Sequence, residues 1–212
     1  MPLLSSCRRR VAILLTALVL IAAGSAPLHA SPGTEAIETL NRTLLSVMQN
    51  AQRLGYDGRY RELEPVVLRT FDHPFMAQAM TGRFWAGFTP AQRERLVATL
   101  RRFTAATYAA RFDGYSGQRF EILGEGAGPR DMVVVKTRIV SGGSEPVAID
   151  YLMRPNGTAI AIADVFFNQS VSEVALRRSE YTAVLGRDGF DGLVASIEDK
   201  IGAMEREGRA KK

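Results

Sequence analysis

Only two histidines occur among the 212 residues, His29 and His73. His29 falls in a stretch that reads as a cleaved leader, so His73 is the one imidazole left to act as a base or a metal ligand. It sits between Asp72 and Pro74 at a helix start, where a capping or surface role fits it better than catalysis. A Ser-His-Asp device would require it, and no G-x-S-x-G elbow accompanies it. Asp150 and Asp164 fall on neighbouring predicted strands and could form an acid/base pair. The strand register expected below places them on opposite faces, which weakens a shared site. The glycines of GEGAGP at 124–129 do not lead into a helix, so they form no phosphate-binding loop. The residue types therefore predict no enzyme, no metal site and no cofactor.

The leader is residues 1–30. Arg8, Arg9 and Arg10 form a positive start, Val11 to Ala23 is an apolar run, and the stretch ends on the small residue Ala30. Thirteen apolar residues fall short of the roughly 20 that span a bilayer as a helix. Cys7 precedes the apolar run, so cleavage removes the only cysteine and with it disulfides and thiol chemistry. The leader carries three arginines and no acid, so the net charge of +5 falls to +2 without it. The basic end, Glu205 to Lys212, accounts for that +2. A near-neutral body argues against a nucleic-acid partner. Residues 31–204 are expected to form one domain, with 205–212 as a basic flexible tail.

Helical periodicity fills the first half. Ile37, Leu40, Leu44, Val47, Met48 and Leu54 share a face, with Gly55 as the expected C-cap. A shorter helical piece from Tyr56 to Phe71 should divide near Glu64-Pro65. Thr89, Pro90 and Gln92 read as a capping box opening a long helix that stops near Asp113-Gly114. Its apolar stripe is Leu96, Leu100, Phe103, Thr107 and Ala110. Arg93, Arg95, Arg101, Arg102 and Arg111 mark its wet face.

After Gly117 the period changes to two. Gln118–Leu123, Met132–Val140, Pro146–Met153 and Thr158–Phe166 read as four strands. Asn156-Gly157 predicts a two-residue hairpin that pairs Met153 with Ile160, Tyr151 with Ile162 and Ile149 with Asp164. Ile149, Tyr151, Met153, Ile160 and Ile162 then make a bulky face, opposite Asp150, Leu152, Ala159, Ala161 and Ala163. Two helices follow: one opened by Ser170 and Glu173 and closed by Gly186, the other striped by Leu193, Ile197, Ile201 and Met204. The expected fold class is α+β, with N-terminal helices, a curved four-stranded antiparallel sheet and C-terminal helices.

Phe71, Phe75, Met76, Met80, Phe84, Trp85 and Phe88 put seven large apolar groups into eighteen residues. They either fill a core or wall a cavity. The run from Phe71 to Tyr115, the segments VVVKTRIV and VAIDYLMRPNG, and Ala163-Asp164-Val165 resemble the MlaC-type (toluene-tolerance) periplasmic phospholipid-binding family. Asp164 to Leu185 is most similar to its hopanoid-biosynthesis-associated branch, HpnM. The resemblance implies a periplasmic carrier with an apolar cavity between sheet and helices, moving phospholipid or hopanoid between membranes without covalent chemistry. It also implies an inner-membrane transporter, RND-type or ABC-type, as partner, and the carrier is expected to be a monomer. On this reading the lipid tails meet Phe75, Met76, Met80, Trp85, Phe88, Leu100, Phe103, Tyr108, Phe112, Tyr151, Met153 and Ile162. Arg83 and Arg119 are the head-group candidates. The alternative is a transporter adaptor that holds no ligand.

Overall fold

The computed structural model describes residues 31–211. The expected leader, with Cys7 and His29, lies outside the described residues, as does Lys212. Ser31 caps α1 (Pro32–Gln49) by accepting from the Thr34 amide, and Ile37, Leu40, Leu44 and Val47 are fully buried along one face. The first helix was expected to run to Leu54 and close at Gly55; α1 is interrupted at Asn50, and the helical conformation that resumes at Ala51 breaks at Gly55 as expected. Gly55 is a kink inside α2 (Ala51–Thr70), at φ 57° and ψ −175°, where a side chain would be strained. Pro65 also stays inside α2 rather than dividing it. Burial of Leu63, Val66 and Val67 around it outweighs the hydrogen bond that its ring removes.

The chain continues through α3 (His73–Thr81), a 3₁₀ turn at Gly82–Gly87, and α4 (Pro90–Arg111). The capping box of α4 is present in both directions: the Thr89 side chain accepts from the Gln92 amide, and the Gln92 side chain accepts from the Thr89 amide. Leu96, Leu100 and Phe103 are buried as the stripe requires. Arg59, itself buried, donates to the Ala109 carbonyl at 2.9 Å and to the Ala51 carbonyl at 3.2 Å. It thereby satisfies one of the carbonyls that the end of α4 leaves free.

The sheet has five antiparallel strands in sequence order, not four: β1 (Arg119–Ala127), β2 (Val133–Val140), β3 (Val147–Asn156), β4 (Ala159–Phe167) and β5 (Val171–Ser172). The fifth is two residues long, too short to leave a periodicity. Gly124 and Gly126, beyond the expected strand end at Leu123, lie within β1, where the register slips between Ile122 and Gly124.

The hairpin register also differs from expectation. Asn156 pairs with Ala159, so Gly157 and Thr158 form the turn. Gly157 takes the positive φ, 64°, as the first central residue of a type II′ turn does. Met153 consequently faces Ile162. A bulge then follows: Leu152 faces Asp164, and Ala163 is the extra residue. The slip moves Asp164 onto the face of Leu152 and Asp150, so the two carboxylates share a face after all. Each is engaged locally. Asp150 accepts from the Thr137 amide, and Asp164 accepts from the Val165 and Val174 amides and the Ser172 hydroxyl. The inner face, turned toward the helices, carries Val135, Thr137, Ile149, Tyr151, Met153, Ile162 and Val165, all buried.

Ser172, rather than Ser170, caps α5 (Glu173–Ala210). This helix breaks at Gly189, at φ 70° and ψ −167°, three residues beyond the expected Gly186. The two halves fold back on each other, since Lys200 reaches Glu180 across the break. The second half runs parallel to α4 at a constant offset. Arg95 pairs with Asp191 and Arg102 with Glu198, both at 2.7 Å and 96 residues apart. Residues 205–210 of the expected flexible tail instead continue α5. Arg209 pairs with Asp57, Lys211 pairs with Asp113, and Gly208 lies against Tyr56 where a methyl group would clash.

Gly189→Ala should destabilise the protein by about 1–3 kcal/mol through backbone strain alone, because the added carbon meets nothing. Gly186→Ala, in regular helix and equally unobstructed, should be neutral or stabilising by up to ~1 kcal/mol. Urea unfolding of the two variants measures the contrast.

Candidate functional site

One junction sets the site. Where α2 ends, the Asp72 amide donates to the Ile162 carbonyl at 2.9 Å, and Phe71 bridges Ile162, which docks the chain against the open edge of β4. The Asp72 carboxylate caps α3 through the Phe75 amide at 3.0 Å, while its second oxygen takes Arg154 of β3 at 2.5 Å. Arg154 in turn lies 4.7 Å from the Phe75 ring centre. α3 therefore leaves the sheet in a fixed direction, with Met76 and Met80 turned inward.

Between α3, α4, the start of α5 and β4 lies a cavity of about 50 Å³. Phe71, Met76, Met80, Leu100, Phe103, Tyr108, Val165 and Phe167 give it an apolar wall, with Thr104 and Thr107 among them. Both threonine hydroxyls donate back to their own helix, to Leu100 at 3.0 Å and Phe103 at 2.8 Å. One side of the lining is charged. Arg111 lies 5.6 Å from the Phe167 ring centre and Arg177 lies 5.0 Å from that of Phe103. Glu173 holds Arg177 at 2.7 Å, and Glu180 holds it at 3.0 Å.

His73 and Tyr181 complete the wall, each about 1% exposed. His73 is thus neither a surface residue nor a cap, because the sheet edge covers it. Its Nε2 lies 3.3 Å from the Thr104 hydroxyl, while Nδ1, beside the Phe71 carbonyl, has no hydrogen bond of ordinary geometry. Burial, helped by the positive charge of Arg101, lowers its pKa to about 4. Burial also raises the phenol pKa of Tyr108, Tyr151 and Tyr181, and the first two hydroxyls lie close enough to act on each other. His73 and these three phenols are thereby neutral near pH 7. Among the described residues no group of three His, Cys, Asp or Glu is placed to hold a metal ion, and no helix is long and apolar enough to cross a membrane.

Residues 38–199 match the MlaC protein family. This chain belongs to that family. A phospholipid-binding protein from Ralstonia solanacearum, solved in complex with a phospholipid, shares the fold. The TM-score is 0.71 at 19% identity, over 82% of this chain and 99% of that one.

Within this MlaC fold the expected tail-contact residues divide. Met76, Met80, Leu100, Phe103 and Tyr108 line the cavity. Tyr151, Met153 and Ile162 are buried in the sheet behind it. Phe112 stacks on Tyr108 at 5.5 Å and reaches Phe120 at 6.1 Å, tying α4 to β1. Phe75 sits under Arg154 outside the cavity. Trp85 lies 6.2 Å from Phe88, which packs on Phe190 at 5.0 Å and braces the bend of α5. Neither head-group candidate reaches the site: Arg83 lies against Phe84, and Arg119 begins β1 beside Glu121. The arginines in the lining are Arg111 and Arg177. Arg111 was visible as one of the cations at the end of α4. Arg177, Glu173 and Tyr181 come from a helix whose approach no local pattern announces.

The depressed pKa of His73 has a stability consequence. Between its ordinary 6.5 and about 4, the unfolded chain takes up a proton that the folded protein refuses, so stability falls as pH falls through that window and levels off below it. Above pH 6.5 the effect vanishes. The loss amounts to roughly 3 kcal/mol. Denaturant midpoints taken from pH 7 to pH 4 should show this decline in the wild type and a shallower one in His73→Gln. Equal slopes would contradict the assignment.

Proposed function

We propose that this protein is a periplasmic lipid carrier, exported by its leader, that moves phospholipid or hopanoid between membranes together with an inner-membrane transporter. The observation that carries the reading is the cavity: an apolar wall with neutral polar groups on one side and ion-paired charge on the other, in an MlaC fold. The Ralstonia protein of the same fold was solved with a phospholipid, which supports a lipid with acyl chains as cargo. No covalent step is needed. Each methylene that leaves water for the cavity gains ~0.8 kcal/mol, whereas exchange with a membrane interior is nearly neutral and so reversible.

About 50 Å³ accommodates a few water-sized spheres, at ~10–15 Å³ each by this measure, and not an acyl chain. Loading must therefore part the walls. Met76 and Met80 are unbranched and adaptable, and they sit on α3, a nine-residue helix bounded by Gly82 at φ 55°. That helix is the wall that gives way.

The test is transfer of labelled phospholipid from donor to acceptor vesicles. The wild type should speed transfer in proportion to its concentration. Met80→Trp, which fills the cavity at a folding cost of about 1–3 kcal/mol, should slow it by about an order of magnitude while a thermal melt shows the variant folded. A wild type that neither binds nor transfers lipid would leave the transporter-adaptor reading in its place.

A further inference from the structure

The cavity wall leaves one hydroxyl unanswered. The Tyr108 and Tyr151 hydroxyls act on each other and neither is a buried orphan, and Thr104 and Thr107 bond to their own helix. Tyr181 is about 1% exposed and its hydroxyl has no hydrogen-bond partner. Its neighbours Glu173 and Arg177 are bonded to each other instead. Folded proteins pair nearly all such groups, and an orphaned one destabilises the empty state. A ligand that brings its own oxygen removes that deficit.

We infer that Tyr181 is the recognition group of the carrier site, donating a hydrogen bond to an oxygen that the lipid carries into the cavity. The inference rests on the carrier reading. Its surroundings support it: Tyr181 lines the cavity together with the apolar Met76, Met80, Leu100 and Phe103, and the charges of Glu173 and Arg177, also in the lining, act on its phenol. A lipid with its hydrocarbon against the first and its polar end toward the second places its first oxygen at Tyr181. In a diacyl lipid that oxygen is an ester carbonyl, and in a polycyclic triterpenoid it is a hydroxyl. The chemistry that Tyr181 reads is the same in both, a hydrogen-bonding oxygen at the end of a hydrocarbon body. The site therefore selects oxygenated lipid over plain hydrocarbon of the same shape.

The test uses Tyr181→Phe and two probe pairs in competition binding. One pair is a diester phosphatidylethanolamine and its diether analogue, which lacks the carbonyls. The other is a hydroxylated pentacyclic triterpenoid and its parent hydrocarbon. The wild type should prefer the oxygenated member of one pair by about tenfold, and Tyr181→Phe should lose that preference. The pair concerned identifies the source of the oxygen. A second readout separates recognition from structure: lipid-free Tyr181→Phe should melt at or above the wild-type temperature, while lipid should raise its melting temperature less than that of the wild type. Equal preference in wild type and variant, as when a buried water answers the phenol, would overturn the inference, as would a wild type without preference in either pair. A wild type that binds no probe at all would remove the carrier reading along with it.

Discussion

Asp72 ties three parts of the molecule at one point. Its amide joins the edge of β4, one carboxylate oxygen starts α3, and the other holds Arg154 from the middle of the sheet. The residue is about 4% exposed, and both of its carboxylate oxygens are engaged, as a buried carboxylate requires. Without this junction α3 has no fixed direction, Met76 and Met80 have no cavity to face, and His73 has no reason to be buried. The bulge at Ala163 belongs to the same arrangement. It turns Asp164 to the opposite face of the sheet, where it accepts from the Val174 amide of α5, and turns Val165 to the inner face.

Around that frame the cavity separates two kinds of chemistry. Its apolar side is lined by groups that burial keeps neutral, and its charged side by arginines that lie over aromatic rings and pair with glutamates. The C-terminal half of α5 takes no part in the lining. It is strapped along α4 by ion pairs at one-helix spacing and braced at its bend by Trp85, Phe88 and Phe190. Those exposed pairs contribute little individually, but their constant offset fixes how α4 and α5 lie together. The aromatic excess before α4 therefore serves two places, a cavity wall and a clamp on the C-terminal helix.

Local features were legible in the sequence where local physics decides them. The Thr89 capping box, the Leu96–Leu100–Phe103 stripe and the strand periodicity after Gly117 all stand as read. Other features depend on tertiary partners. Gly55 and Pro65 both carry breaker signals, yet α2 bends only at Gly55, while burial of Leu63, Val66 and Val67 carries the helix through Pro65. The register past Met153 depends on a bulge that exists because Asp164 has α5 to cap. His73 looks like a surface residue until the sheet edge is placed over it. Arg177 and Tyr181 come to the site from more than seventy residues away from Leu100 and Phe103, so only the folded structure could join them. Of the twelve residues expected to meet lipid tails, five line the cavity.

The central claim is that the cavity opens to hold lipid, and native mass spectrometry of the purified protein, followed by solvent extraction of whatever is bound, tests it most directly. The account predicts a mass increment equal to one lipid per chain, identified on extraction as phospholipid or hopanoid and lost on delipidation. Protein that is purified empty and stays empty after incubation with lipid vesicles would contradict it.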